Sequence, residues 1–149
     1  MRFCANEKSF RLYRRQLRLD SNPFDLSNER FIELFRLNKQ LVRNLIQDLN
    51  PHLRERVYNT AVSNTIKVCC ALRFYATGSY QRCVGQEFNI ALSQTMVSRV
   101  VHEVTIAIDA HLSAVWIRFP VTVQGRLSIK ETIMNRWHIG GCVGFIDGT

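Results

Sequence analysis

The sequence is short of the features that mark whole classes of protein. It has no apolar run approaching the roughly 20 residues a helix needs to span a bilayer, so no membrane is expected as a partner. Its opening residues, MRFCANEKSFRLYRR, lack the apolar core of a secretory signal. The 5 cysteines form no framework: Cys69 and Cys70 are adjacent, and Cys4, Cys83 and Cys142 stand alone. No Cys-x-x-Cys pair and no Cys/His ligand spacing occurs, which disfavours zinc. The expected state of these thiols is buried and reduced, as in a cytosolic or nuclear protein. Acids are scarce as well, with 12 Asp and Glu against 20 Lys and Arg. The resulting net charge of +8 points to nucleic acid or an acidic surface; a solvated cationic surface without a partner is the alternative.

What remains is enough to fold. A hydrophobic fraction of 46% over 149 residues supports a core in one domain or two small ones. Residues 72–104, LRFYATGSYQRCVGQEFNIALSQTMVSRVVHEV, read as three short helices separated by two turns. Ser93 is a good N-cap for the last of them. From there Val97, Val100, Val101 and Val104 recur at helical spacing. Gln94, Thr95, Ser98, Arg99 and His102 fall on another face, and these side chains can read bases and grip phosphates. They are the candidate DNA-binding residues. Gly78-Ser79 supplies a turn, and Gly85 lets the short preceding helix, residues 80–88, cross its neighbour closely. This is helix-turn-helix logic. The bland alternative is an ordinary surface helix with one apolar and one polar face. For Arg99 that alternative is a salt bridge to Glu103 at i+4.

The rest of the chain divides around this stretch. Residues 1–22 form a basic segment, read as a solvated, partly helical tail, with a DNA-phosphate arm or an import signal as the alternatives. Residues 23–62 form a helical hairpin and a connection. Ser27 caps a helix over residues 28–35, Asn38 caps one over residues 39–50, and Pro51 ends it. Residues 63–120 carry the helix-turn-helix, opened by a Ser63 cap and a helix over residues 65–76 that Gly78 ends. The helix after Ser93 is expected to run on to Val115 or Trp116, with Trp116 and Phe119 packed inside and Pro120 as the stop. In residues 121–149, a linker carrying Gly125 precedes a capping box, Ser128-Ile129-Lys130-Glu131, and a helix to about Trp137. Residues 143–146 read as a buried strand with Asp147 at its end.

Five segments occur in a telling order: ALRFYATGSYQ from Ala71, Val84-Gly85, SQTMVSRVV from Ser93, WIRFP from Trp116, and GFIDGT from Gly144. Together they resemble the Harbinger transposase-derived nucleases, over roughly residues 26–149. The resemblance implies a mostly α chain: a helical N-terminal part with a helix-turn-helix, then the first strand of an RNase H-like α/β domain. It implies three acidic residues that hold divalent metal, Mg2+ or Mn2+, the first of them in a motif ending Asp-Gly-Thr. Asp147 matches that acid and is the candidate catalytic and metal-binding residue. The sequence stops at Thr149 without the second and third acids. The expectation is therefore an N-terminal piece of a DDE nuclease, inactive and without bound metal by itself. The alternative is a catalytically inactive DNA-binding or protein-interaction module. The family further implies DNA and a Myb-like protein as partners, and a nuclear location with the cytoplasm left open. One departure stands out: Asn89-Ile90-Ala91-Leu92 occupies the turn before the reading helix, where the family has a tighter turn with glycine.

Overall fold

A computed structural model describes residues 2–54, 62–87 and 89–145, with side chains from residue 9 onward. The chain divides into two compact units, Met1–Leu112 and Ser113–Thr149.

The first unit is helical. It runs α1 (Arg2–Asp20), α2 (Asn28–Phe35), α3 (Lys39–Leu49), α4 (Asn64–Thr77), α5 (Gln81–Gln86) and α6 (Gln94–Ile108), with single 3-10 turns at Pro23–Asp25 and Asn50–His52. Capping sets most of the starts. Ser27 accepts from the Arg30 amide at 3.2 Å and Asn38 from the Leu41 amide at 2.8 Å. Ser63 accepts from the Ile66 amide at 3.4 Å. Each satisfies a first-turn donor that has no partner within its helix. Gly78 ends α4 at φ 58°, a left-handed conformation that costs glycine nothing. Arg36 ends α2 at φ 60°.

The core collects the apolar stripes of α2 to α6. Phe31 and Phe35 of α2, Val42, Ile46 and Leu49 of α3, and Ile66 with residues 68–71 of α4 meet Val84 of α5 and the valines of α6. Burying one such side chain contributes about 1.5–3 kcal/mol relative to leaving it in water. The expected hairpin of α2 and α3 is present, joined through Leu37 and Asn38. The connection assigned to residues 53–62 lies mostly outside the described residues. Cys69 and Cys70 are buried free thiols, as expected, but Cys83 is exposed and Cys142 half-buried. The basic N-terminal segment, read as a partly helical tail, is helical over Arg2–Asp20.

The second unit corrects several expectations. After α6 come a π-helical turn at Asp109–Ser113 and α7 (Ala114–Trp116), so helical residues reach Trp116 as expected, with one wider turn among them. Trp116 and Phe119 are not packed inside: they are 76% and 62% exposed. The last helix, α8, spans Val123–Trp137 and starts at Thr122, not at the Ser128 capping box. Thr122 accepts from the Gly125 amide at 3.1 Å. Arg126 reaches back to the carbonyls of Pro120 and Val121 at 3.2 and 2.9 Å. An earlier cap with its own side-chain support adds a further turn of backbone bonds, and Gly125 is absorbed into the helix at modest cost.

The strand expected at residues 143–146, and with it the opening of an RNase H-like α/β domain, is overturned. There is no strand among the described residues, and Val143, Gly144 and Phe145 follow a turn at Gly141 without regular structure. A strand is held by hydrogen bonds to a neighbour, and an apolar run with no neighbouring strand has nothing to pair with. Ile146, Asp147, Gly148 and Thr149 lie outside the described residues. No helix among the described residues is long and apolar enough to cross a membrane.

Candidate nucleic-acid interface

Three helices build the candidate interface. Helix α4 is the platform, α5 crosses it, and α6 lies against both within the first unit. The close approach of α5 to the turn and start of α6 depends on Gly85. A Cβ there would meet the Leu92 carbonyl oxygen at 2.6 Å and Val97 Cγ2 at 3.0 Å. The Leu92 amide donates to the Gly85 carbonyl at 2.9 Å, so backbone lies directly on backbone. Sequence reasoning placed this close approach correctly.

The turn between α5 and α6 carries no glycine, and the backbone shows how it manages. Ala91 takes φ 46°, in the left-handed region where a glycine would sit without strain. Its amide donates to the Glu87 carbonyl at 2.8 Å. Its carbonyl accepts from Arg18 Nη1 of α1 at 2.6 Å. Arg73 fixes the other side of the turn, donating from Nε to both carboxylate oxygens of Glu87 at 2.7 and 3.0 Å, and from Nη1 to the Leu34 carbonyl at 3.3 Å. One guanidinium thus ties α2, α4 and the turn together.

Helix α6 starts at Ser93, whose hydroxyl accepts from the Met96 amide at 3.3 Å. Val97, Val100, Val101, Val104 and Ala107 are buried. All five candidate DNA-binding residues, Gln94, Thr95, Ser98, Arg99 and His102, are exposed. At about 100° per residue the five fall within an arc of about 140°, separate from the valine stripe. The structure therefore brings them onto one open face.

Glu103 is not the partner of Arg99. Its carboxylate accepts from Lys67 Nζ at 2.8 Å and from the Arg54 amide at 2.8 Å. Lys67, buried in α4, also donates to the Arg54 carbonyl at 3.1 Å. Glu103 thereby staples α6 to α4 and to the chain after α3. No ion pair engages Arg99 among the described residues. The Lys67–Glu103 and Arg73–Glu87 pairs escaped sequence reasoning, because partners 36 and 14 residues apart leave no local periodic signal.

A groove of about 910 Å3 runs between α1 and the start of α6. Arg11, Arg14, Arg15 and Arg18 enter it from α1, and Thr95 and Arg99 from α6. Among the described residues, no carboxylate lines it. The Arg18 guanidinium is pushed below its usual range, first by burial and then by the neighbouring Arg14 and Arg15 cations.

The metal-binding expectation rests on Asp147 alone. Asp147 lies outside the described residues. Asp109 sits in the π-helical turn after α6 and Glu131 in α8. Among the described residues no group of three or more His, Cys, Asp or Glu side chains could hold a metal ion.

Comparison with known proteins gives one consistent relationship. The chain is 29% identical over 124 residues to the human protein named "Putative nuclease HARBI1", covering 83% of this chain and 35% of that one. It is 28% identical over 124 residues to the protein of that name in Bos taurus, with the same coverage. It is 27% identical over 126 residues to that of Xenopus laevis, covering 84% and 35%. The chain thus spans about a third of the length of these relatives. No protein-family model matches it. No solved structure matches it either.

Proposed function

We propose, from the premise that this chain is a distant relative of the Harbinger transposase-derived nucleases, that its helical unit is a DNA-binding helix-turn-helix module. The observation that carries this reading is the open polar face of α6, with Gln94, Thr95, Ser98, Arg99 and His102 all exposed opposite a buried valine stripe. A helix seated on two others by one face, with hydrogen-bonding side chains on the opposite face, suits the major groove. Arg99 would donate to a guanine edge or a phosphate, and Gln94, Thr95, Ser98 and His102 would supply the remaining contacts. The net charge of +8 supports a polyanionic partner. The nucleus is the compartment where such a module would act, and a Myb-like protein remains a proposed partner.

The test is an electrophoretic titration against duplex DNA. Arg99→Ala is expected to weaken binding by about 1–3 kcal/mol if Arg99 makes a bidentate base contact. Equal affinity for wild type and variant would remove Arg99 from the interface.

The word nuclease in the relatives' name supports a second reading, in which the module belongs to a metal-dependent DDE nuclease and Asp147 is one of its acids. The described residues offer no cluster that fits a metal ion. Phosphodiester hydrolysis with magnesium or manganese needs several carboxylates at fixed positions. The 149-residue chain is expected to leave supercoiled plasmid uncut in either metal. Nicking that disappears in Asp147→Ala would instead place the chemistry in this chain.

A further inference from the structure

We propose that the groove between α1 and the start of α6 is a phosphate clamp that grips the DNA backbone beside the face of α6; this rests on the DNA-binding reading above.

The first ground is composition. Arginines enter from both walls, and among the described residues no carboxylate does. Cations held this close repel one another, and an anion between them relieves that repulsion. The repulsion is felt at Arg18, which burial and the charges of Arg14 and Arg15 both disfavour in its protonated form. The second ground is an unsatisfied donor. Arg15 Nε is buried and has no hydrogen-bond partner. Buried polar groups are nearly always satisfied, and an unsatisfied donor on a guanidinium that lines this groove fits an acceptor supplied by a ligand. The third ground is position. Thr95 and Arg99 line the groove and also belong to the exposed face of α6. A strand held in the groove would therefore pass directly to the side chains that face a base edge.

The arginines divide the work. Arg18 already donates to the Ala91 carbonyl, so it anchors α1 to the turn that precedes α6. Arg14 and Arg15 are then available for phosphate oxygens, which accept forked guanidinium donors well. Contacts of this type fix the register of a protein on DNA and carry no sequence information. Helix α1 would accordingly set affinity and salt dependence, and α6 would set sequence preference.

The experiment is a fluorescence-anisotropy titration of the full chain with duplex DNA across a salt series. It compares wild type, Arg14→Gln/Arg15→Gln and Arg14→Lys/Arg15→Lys, each checked for unchanged helicity by circular dichroism. Each lost phosphate contact should lower the slope of log affinity against log salt by about 0.9. The Gln pair should therefore lose about tenfold less affinity than wild type between 50 and 200 mM salt. The Lys pair should keep most of the wild-type slope. An unchanged slope in the Gln pair, with DNA still bound, overturns the clamp and leaves the helix-turn-helix reading standing. A uniform loss of affinity at every salt concentration is likewise an unchanged slope and overturns it, because losing phosphate contacts must lower the slope. Absence of any duplex binding by wild type refutes both.

Discussion

Gly85→Ala places one methyl group where the structure has no room for it. In isolation the change favours folding, since alanine in a helix interior is better than glycine by about 0.5–1 kcal/mol. Here the added Cβ would stand 2.6 Å from the Leu92 carbonyl oxygen and 3.0 Å from Val97 Cγ2. The Leu92 oxygen is backbone and cannot rotate away. The segments cannot part without stretching the 2.9 Å bond from the Leu92 amide to the Gly85 carbonyl. Overpacking of this kind costs about 1–3 kcal/mol, and losing the bond would add about 0.5–1.5 kcal/mol. Steric cost wins, for a net loss of about 1–3 kcal/mol. Urea unfolding followed by circular dichroism should show the midpoint falling by about 1 M, given a slope of about 1–3 kcal/mol per molar. Gly78 is the control. It needs its φ of 58° but has nothing within 4 Å of a Cβ, so Gly78→Asn should be nearly neutral, because Asn tolerates that conformation. A midpoint for Gly85→Ala at or above wild type would refute the close crossing of α5 and the turn.

Glu103→Ala should destabilise the helical unit by about 1.5–3 kcal/mol, since it leaves the buried Lys67 ammonium with the Arg54 carbonyl and strips the Arg54 amide of its acceptor. Thermal melting reads this directly, and an unchanged melting temperature would show the pair to be incidental. Burial pushes the Cys69 and Cys70 thiols up to about 12, with Cys70 adding charge at the first and Glu87 at the second. In the unfolded chain both ionise near 9, so above that pH the unfolded state sheds protons the folded state keeps. The two thiols' contribution to stability should therefore be flat below pH 9 and fall as pH rises from about 9 toward 12. Stability that rises across that window would contradict the burial. In native protein at pH 8, Cys83 should react with a thiol reagent well before either buried cysteine.

Much of the helical unit could be read from residues, because the signals that set it are local. Ser27, Asn38, Ser63 and Ser93 each precede an apolar stripe by one turn, and each caps its helix. Gly78 and Gly85 were legible for the same reason: a helix end and a close crossing both leave a small residue at a defined place. The candidate face of α6 followed from period alone, since the valines and the polar residues alternate by helical turn. The second unit was harder. Thr122 and Ser128 are both credible caps, and the choice depends on Arg126 reaching two preceding carbonyls. Residues 143–145 carry strand-like side chains, but strand formation is decided by a partner that a local window does not contain. The outward placement of Trp116 and Phe119 is likewise a tertiary outcome.

The charge of the chain becomes useful only through the way the fold distributes it. A net charge of +8 spread evenly would give a weak, diffuse field. The fold instead engages acids of the first unit elsewhere. Glu103 is committed to Lys67, Glu87 to Arg73, Glu33 to Arg30, and Asp20 accepts from Gln16 on its own helix. None of these carboxylates lines the groove between α1 and α6. Positive charge is thus concentrated in the groove, which Thr95 and Arg99 line together with Arg14 and Arg15. The pairs that hold α6 in place and the groove that awaits an anion are consequently linked. An acid moved from structural pairing to the groove would weaken both. Replacing Thr95 by Glu, at an exposed position in the first turn of α6, isolates the electrostatic half of this argument: the helix should tolerate it, since a carboxylate suits a helix N-terminus. DNA affinity should nonetheless fall sharply at low salt and less at high salt, and a loss independent of salt would show that shape rather than charge governs the groove.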